Sequence, residues 1–500
     1  MRQKEAKPLT KTVDPNALQP TTTTRSDMRI KENSVVHAML IFNAIAIVLF
    51  CMLPGLQILK WMWLAFCLQG IFSFALICNL PHSSWAMLLA PSSLAVTYLS
   101  ISFGLGAFAL RSDVATTLRD TRAGVGFWYS LSSSAPTIAG VLLGSIYLIT
   151  LSFIANWRSK GRDMLSQGLP GMPSRSTFIV VCIAVALLVT FSVFPLNLSV
   201  LGASDDISYP VRLLCCIALF AACQNRRPLV RYAVYLAAAA PMAMMSFHSK
   251  REALFVVIAA ITVELMAHNE PLKVSFRRIG LALLAASVVF VFILWASVMR
   301  GYGGYHPTSA IEGVRYIPQY VQEPYFIETA TSNFETNSTI SHTANCIHMI
   351  RTGELKMQWG ATLCKFVFLP VPRRYFPGKP ESMIAVYTQH VASKFYEIGG
   401  SFPVTLPGEL YANFGIPGLV LVVPLFMVLD SFFFSAARSI GEDPFGFSVL
   451  LAVYLGSSSV MLVRGSGLDI YIVYAAIAAV PAIVFGVVAG RRLPWRIRIN

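Results

Sequence analysis

Apolar runs of near-membrane length recur from residue 35 to residue 489 of this chain, and no other feature limits its fold so strongly. A helix needs about 20 mostly apolar residues to cross the ~30 Å hydrocarbon core of a bilayer. Charged residues make up 13% of the sequence and hydrophobic residues 55%. A soluble domain carries roughly 25% charged residues, so about half of the expected solvating surface is missing. The mean hydropathy is +0.63. The bilayer is therefore the solvent, and the expected fold is an all-α polytopic membrane protein of about 12 transmembrane helices.

The pattern predicts spans near 35–53, 61–80, 85–110, 133–156, 177–196, 209–223, 229–247, 252–267, 279–299, 412–436, 447–463 and 468–489. The sixth and eighth are short for a bilayer core. An even count puts both termini on one side. Basic residues fit that side being the cytoplasm: Arg2, Lys4, Lys7, Lys11, Arg25, Arg29 and Lys31 at the front, and Arg491, Arg492, Arg496 and Arg498 at the back. Between them, Arg158, Lys160, Arg162 and Arg175 fall inside, as do Arg226 with Arg227, and Lys273 with Arg277 and Arg278. This is the positive-inside bias.

The expected organisation is a disordered cytoplasmic tail over 1–34, a bundle of nine helices over 35–299, and a large outer loop over 300–411. Three last helices follow over 412–489, then a basic tail over 490–500. No small-residue cleavage site follows the first apolar stretch, so the polar start reads as a tail rather than a cleavable signal. A connection as long as 300–411 is usually functional or a small domain of its own. Thr336 to Ile350 has a helical pattern, and Phe366 to Val371 is apolar but too short to span. The loop is expected to form short helices lying over the bundle at the membrane surface. No internal repeat is visible, which removes one mark of many secondary transporters.

The net charge of +15 would point to nucleic acid in a soluble protein. Here the cations sit at the ends of apolar runs, and no RNA- or DNA-binding motif accompanies them. Seven of the nine cysteines fall in apolar runs and read as small core hydrophobes. Cys346 and Cys364 share the large loop, where spacing leaves a disulfide open. No Walker A loop, zinc-type cluster or Asp-x-Asp metal motif is present, and neither a metal nor a cofactor is expected.

Several cations break the topology rule by falling outside: Arg111, Arg119, Arg122, Lys250, Arg251, Arg300, Arg373, Arg374, Lys379 and Arg464. Any one of them fits lipid-phosphate contact or snorkelling. As a set they point to an anion site at the outer mouth of the bundle, because the planar arginine fork binds phosphate oxygens bidentately. The densest segment is Phe368-Leu-Pro-Val-Pro-Arg373-Arg374-Tyr-Phe-Pro-Gly-Lys379-Pro380, stiffened by four prolines. It also fits an ordinary rigid interfacial loop. Downstream, Glu409 stands at the outer start of the tenth span, with Asn413 on the same helix face and Tyr411 between them. A carboxylate and an amide entering the membrane are costly unless they face a cavity or partners. Glu409 also suits the positive end of a helix dipole.

Pro-Arg373-Arg-Tyr-Phe-Pro-Gly-Lys379-Pro380 resembles the Pro-Arg-x-x-(Trp/Phe)-Pro-x-Lys-Pro signature of oligosaccharide repeat-unit polymerases, the Wzy-type O-antigen polymerase family. Gly-Glu409-Leu-Tyr-Ala-Asn413-Phe-Gly415-x-x-Gly418 looks like that family's second signature. Ser249-Lys-Arg251 and Arg464-Gly are weaker echoes. The motifs lie between residues 300 and 470, and the first 250 residues match in hydropathy alone. Arg374 stands where the signature has a small or polar residue.

The resemblance implies a membrane-embedded glycosyltransferase of the bacterial inner membrane that acts at its periplasmic face. It would join oligosaccharide repeat units carried on undecaprenyl pyrophosphate into O-antigen or another surface polysaccharide. It would work beside a chain-length regulator and a flippase of the same pathway. Glu409 and Arg373 are the expected catalytic residues. Arg374, Lys379, Arg300, Lys250, Arg251, Arg464, Asn413 and Tyr411 would hold pyrophosphate or glycan. Arginines can stabilise the leaving pyrophosphate without a metal. The acceptor hydroxyl needs a base, which a glutamate or histidine of the loop can supply. The competing readings are an O-antigen ligase and a flippase or transporter for the lipid-linked oligosaccharide.

Overall fold

A computed structural model describes residues 22–80, 84–109, 131–160, 174–194, 197–198, 205–206, 208–245, 250–268, 280, 287, 290–291, 294–295, 297–299, 301, 304–323, 326, 336–368, 375–465 and 467–490. The helices are α1 (Thr22–Cys51), α2 (Gly55–Cys78), α3 (Pro91–Ala109), α4 (Ala135–Lys160), α5 (Ser174–Val193), α6 (Ser208–Ala222), α7 (Pro228–Met245) and α8 (Lys250–His268). They continue as α9 (Ala310–Val321), α10 (Thr336–Thr352), α11 (Ala361–Phe368), α12 (Met383–Val391), α13 (Ser393–Glu397) and α14 (Leu406–Phe414). Last come α15 (Val422–Ser439), α16 (Phe447–Arg464) and α17 (Leu468–Val488). Between α5 and α6, β1 (Asn197–Leu198) pairs antiparallel with β2 (Asp205–Asp206).

The fold is helical, and among the described residues seven helices are long and apolar enough to cross a membrane. They cover Gly55–Cys78, Pro91–Ala109, Ser132–Arg158, Ser176–Val193, Ile416–Ser439, Phe447–Arg464 and Leu468–Val488. Val36–Cys51, Ser208–Ala222 and Leu254–His268 are shorter apolar helices. Residues 1–46 and 47–500 are separate compact units.

Three boundaries and one placement differ from the sequence reading. Helix α1 starts at Thr22, inside the expected disordered tail. The third span starts at Pro91, because Trp85–Leu89 form a separate 3-10 turn. Pro91 suits the first helical position, where its missing N–H costs nothing. The tenth span does not begin at 412: α14 ends at Phe414 with Gly415 as its cap, a 3-10 turn covers Ile416–Leu421, and α15 follows. Glu409 and Asn413 therefore sit on a short helix of their own, ahead of the span. Finally, α10 shares the main apolar core instead of forming a separate cover.

Helix α10 is built into the packing. Ile340, Ala344 and Ile347, at helical spacing, join the main apolar cluster with Phe103, Ala107, Leu142 and Leu410. The opposite face carries Cys346 and Met349 into a second cluster with Leu355, Met383, Tyr387, Val404 and Ala412. Gly106 of α3 permits this approach. A Cβ there would lie 2.5 Å from the Thr336 carbonyl oxygen and 2.8 Å from Ile340 Cγ2. Small residues let helix backbones close up in this way. Helix α10 thus joins two apolar clusters: the main one, which also takes Leu406 and Leu410 of α14, and a second one with Met383 and Tyr387 of α12.

Candidate functional site

Helix α14 is set by its sequence. Thr405 precedes it with extended backbone, Pro407 occupies the first turn, and Glu409 is the acid of that turn. Proline and a carboxylate both suit a helix start. Glu409 is 1% exposed and Asn413 is fully buried. A buried carboxylate needs partners, and these come from α11 and α17. Thr362 Oγ1 donates to Glu409 Oε1 at 3.2 Å, and the Leu468 N–H also donates to the carboxylate.

Asn413 is the hub. Its Nδ2 donates to Thr362 Oγ1 at 2.7 Å and to the Glu409 carbonyl at 2.7 Å. Its Oδ1 accepts from the Gly360 N–H at 2.9 Å. The Gln358 N–H donates to the Ala412 carbonyl at 2.9 Å. The turn carrying Gln358, Trp359 and Gly360 is thus pinned to α14 on both sides. Trp359 between them has φ +49° and is 78% exposed.

One helical turn after Thr362, Lys365 Nζ lies 3.0 Å from Asp469 Oδ2. Asp469 occupies the first turn of α17 and is itself buried. Two glycines shape the α16–α17 connection that delivers it. Gly465 has φ +110°, and a Cβ there would lie 2.4 Å from the Val404 carbonyl oxygen. Gly467 has φ +91°. Burial, and then the nearby Asp469 charge, push the Glu409 carboxyl up from 4.5 to about 7. The Leu468 N–H, the Thr362 hydroxyl and Lys365 oppose that shift. Glu409 therefore holds or releases its proton near neutral pH, as a general acid or base must.

The structure brings together Glu409 and Asn413 among the residues expected from sequence, and adds Thr362, Lys365 and Asp469. Lys365 was legible as a lone cation in the apolar octet Ala361–Phe368, a costly placement that implies a partner. Thr362 carried no such signal. Tyr411 packs in the main apolar cluster instead. It stands about 200° around α14 from Glu409, so it belongs to the core. Lys379 and Arg464 are buried. Lys250 and Arg251 open α8, and their side chains lie outside the described residues. So do Arg300, Arg373, Arg374, Arg111, Arg119 and Arg122. The aromatic part of the proline-rich segment is described: Tyr375 is exposed, and Phe376 packs on Phe368 with ring centroids 5.3 Å apart.

Helix α10 also carries a histidine, packed between α12 and Phe402. His342 stacks on Phe402 at 4.0 Å, and its Nδ1 lies 3.1 Å from the Tyr387 hydroxyl. Burial lowers its pKa to about 4, so the ring is neutral at pH 7. Cys346 and Cys364 are both free, the first buried and the second exposed. Among the described residues no three His, Cys, Asp or Glu side chains are grouped to hold a metal ion.

Two other acids, the buried Asp430 and the half-buried Glu264, have structural partners. Asp430 accepts from both the N–H and the hydroxyl of Ser92, capping α3. Glu264 pairs with Arg231 at 2.7 Å and accepts from Tyr235 at 2.8 Å. His268 Nε2 lies 3.1 Å from the same guanidinium. No protein-family description, curated protein or solved structure matches this chain.

Proposed function

We propose that this chain polymerises oligosaccharide repeat units carried on undecaprenyl pyrophosphate, at the periplasmic face of a bacterial inner membrane. The reading takes the chain as twelve spans with both termini inside and residues 300–411 outside. One observation carries it beyond the motif resemblance: Glu409, with a carboxyl that titrates near 7, shares a buried cluster with Thr362, Asn413, Lys365 and Asp469. The segment that resembles the second polymerase signature is thus the one that holds a tuned carboxylate.

The step balances as follows. A sugar hydroxyl of the acceptor unit attacks the anomeric carbon of the donor glycan and forms the new glycosidic C–O bond. The bond from that carbon to pyrophosphate breaks, and undecaprenyl pyrophosphate leaves with the electron pair. The hydroxyl proton passes to the Glu409 carboxylate. Arg373 and Arg374 stabilise the charge that grows on the leaving group. Glu409 is buried, so a role as base requires that the contact between α11 and α14 open to the acceptor.

Burial also favours a second reading, in which the cluster only locks α11, α14 and α17 together. Surface glycan from a strain lacking this protein tests the main reading. Glycan truncated to one repeat unit supports polymerase. Absence of glycan from lipid A-core points to a ligase or flippase instead.

A further inference from the structure

Helix α9 presents two apolar faces. One packs: Tyr316, Ile317 and Tyr320 join Leu294 and Val298, and Gly313 lies against Met299. The other is open: Ile311, Val314 and Val321 are 70%, 56% and 42% exposed, with Pro318 beside them. At 100° per residue these four fall within about 80° of one another. Arg315, Gln319 and Gln322 border the stripe on one side, and all three are exposed. An apolar stripe with a polar border on one side suits a boundary between oil and water.

We propose that α9 is an interfacial helix whose Ile311–Val314–Val321 stripe is seated in one leaflet of the lipid bilayer, with Arg315 at the phosphate level. Three further observations favour lipid as the occupant. Apolar exposure is also found on the element that α9 rests on: Phe290 and Val291, in the sequence-predicted ninth span, are exposed about one turn before Leu294. The acid on this helix is engaged internally. Glu312 accepts from the Thr308 N–H and hydroxyl, each at 2.7 Å, and from Tyr316 at 3.3 Å. Arg315 is then the charge left at the border, and a cation there complements lipid phosphate.

Pro318 fixes the depth. It lies inside the helix and has no N–H, so the Val314 carbonyl has no i+4 donor. Headgroup water satisfies such a carbonyl, whereas the hydrocarbon core cannot. The helix holds its conformation without the bilayer through the Ser309 cap, which accepts from the Glu312 N–H, and through Tyr305 stacked on Tyr316.

Single nitroxide labels at Ile311, Val314 and Gln319, in the full chain reconstituted into lipid nanodiscs, test this. The exposed cysteines Cys67, Cys182 and Cys364 are first replaced by alanine. Labels at 311 and 314 should collide with oxygen several-fold more than with an aqueous nickel chelate, at depths of about 5–10 Å below the phosphates. The label at 319 should show the reverse preference. Equal chelate access at all three positions overturns the proposal. Exclusion of both reagents at 311 and 314, with dipolar broadening between copies, also overturns it in favour of a second copy of this chain. The unlabelled chain gives an independent reading: a lipid with a diazirine in its upper acyl chain should mark the peptide holding Ile311–Val321. No adduct there counts against the proposal. These outcomes do not depend on the polymerase reading.

Discussion

Lys365 Nζ and Asp469 Oδ2 stand 3.0 Å apart, tying the short helix α11 to the first turn of α17. Both groups are buried. Removing one partner of a buried pair strands the other charge, at a cost of about 3–5 kcal/mol. Lys365→Met alone and Asp469→Asn alone should each lower thermal stability in detergent by that order. The Lys365→Met, Asp469→Leu double variant should recover most of the loss. If the double variant is as damaged as the singles, the pair does more than lock helices.

If Glu409 is the base, stability and activity should respond oppositely to pH. Its carboxyl sits at about 7 in the fold against an ordinary 4.5. The folded state therefore binds the proton more tightly, a contribution fully present below 4.5 and lost as pH rises through 7. Across that window the loss is at most about 3 kcal/mol. Thermal stability should fall from pH 4.5 to 7.5, and Glu409→Gln should flatten the profile. A base must be ionised, so polymerisation should rise through about pH 7 and fall by orders of magnitude in Glu409→Gln. Near-normal polymer in that variant, with its flattened stability profile, would leave Glu409 a structural lock.

Arg373 should act as charge on the leaving pyrophosphate. Arg373→Ala should abolish polymer while the protein still inserts. Arg373→Lys should restore part of the activity, since lysine keeps the charge and loses the bidentate fork. Polymer length and membrane abundance, measured together, check this; full polymer from the alanine variant would reduce the residue to lipid contact.

Backbone geometry makes two further substitutions diverge. Trp359 holds φ +49°, a region where glycine is easier, so Trp359→Gly should relieve strain of about 1 kcal/mol or more. Gly465→Ala meets both a positive φ and the Val404 carbonyl at 2.4 Å. It should cost about 3 kcal/mol or more, through backbone strain and overpacking together. Melting temperatures of the two purified variants should move in opposite directions.

Gly353 follows α10 in an exposed turn with open space around its α-carbon. A reporter fused there should read as extracytoplasmic, and one at the C-terminus as cytoplasmic, if the positive-inside assignment holds. A cytoplasmic signal at Gly353 would overturn the orientation and the chemistry built on it.

Seven membrane-length apolar helices among the described residues were legible because a bilayer demands runs of apolar residues, and runs are local. The helix over Thr336–Thr352 and the shared face of Glu409 and Asn413 were legible for the same reason, since helical periodicity acts over a few residues. The position of α10 was not. Its Ile340 stripe enters the bundle because Gly106 leaves room for it, and a complementary surface more than two hundred residues away has no local trace. The break at Gly415 was obscured because the apolar run continues straight through Ile416–Leu421.

By itself, then, the sequence determined an α-helical chain built for lipid and the local placement of a carboxylate and an amide on one helix face. Tertiary packing decided what surrounds that carboxylate. Asp469 reads along the chain as an acid near a helix start, and Lys365 as a cation out of place in an apolar octet. They become one site because α11 and α17 converge on α14. There burial and the charge of Asp469 set the protonation of Glu409, and those effects depend on distance through space.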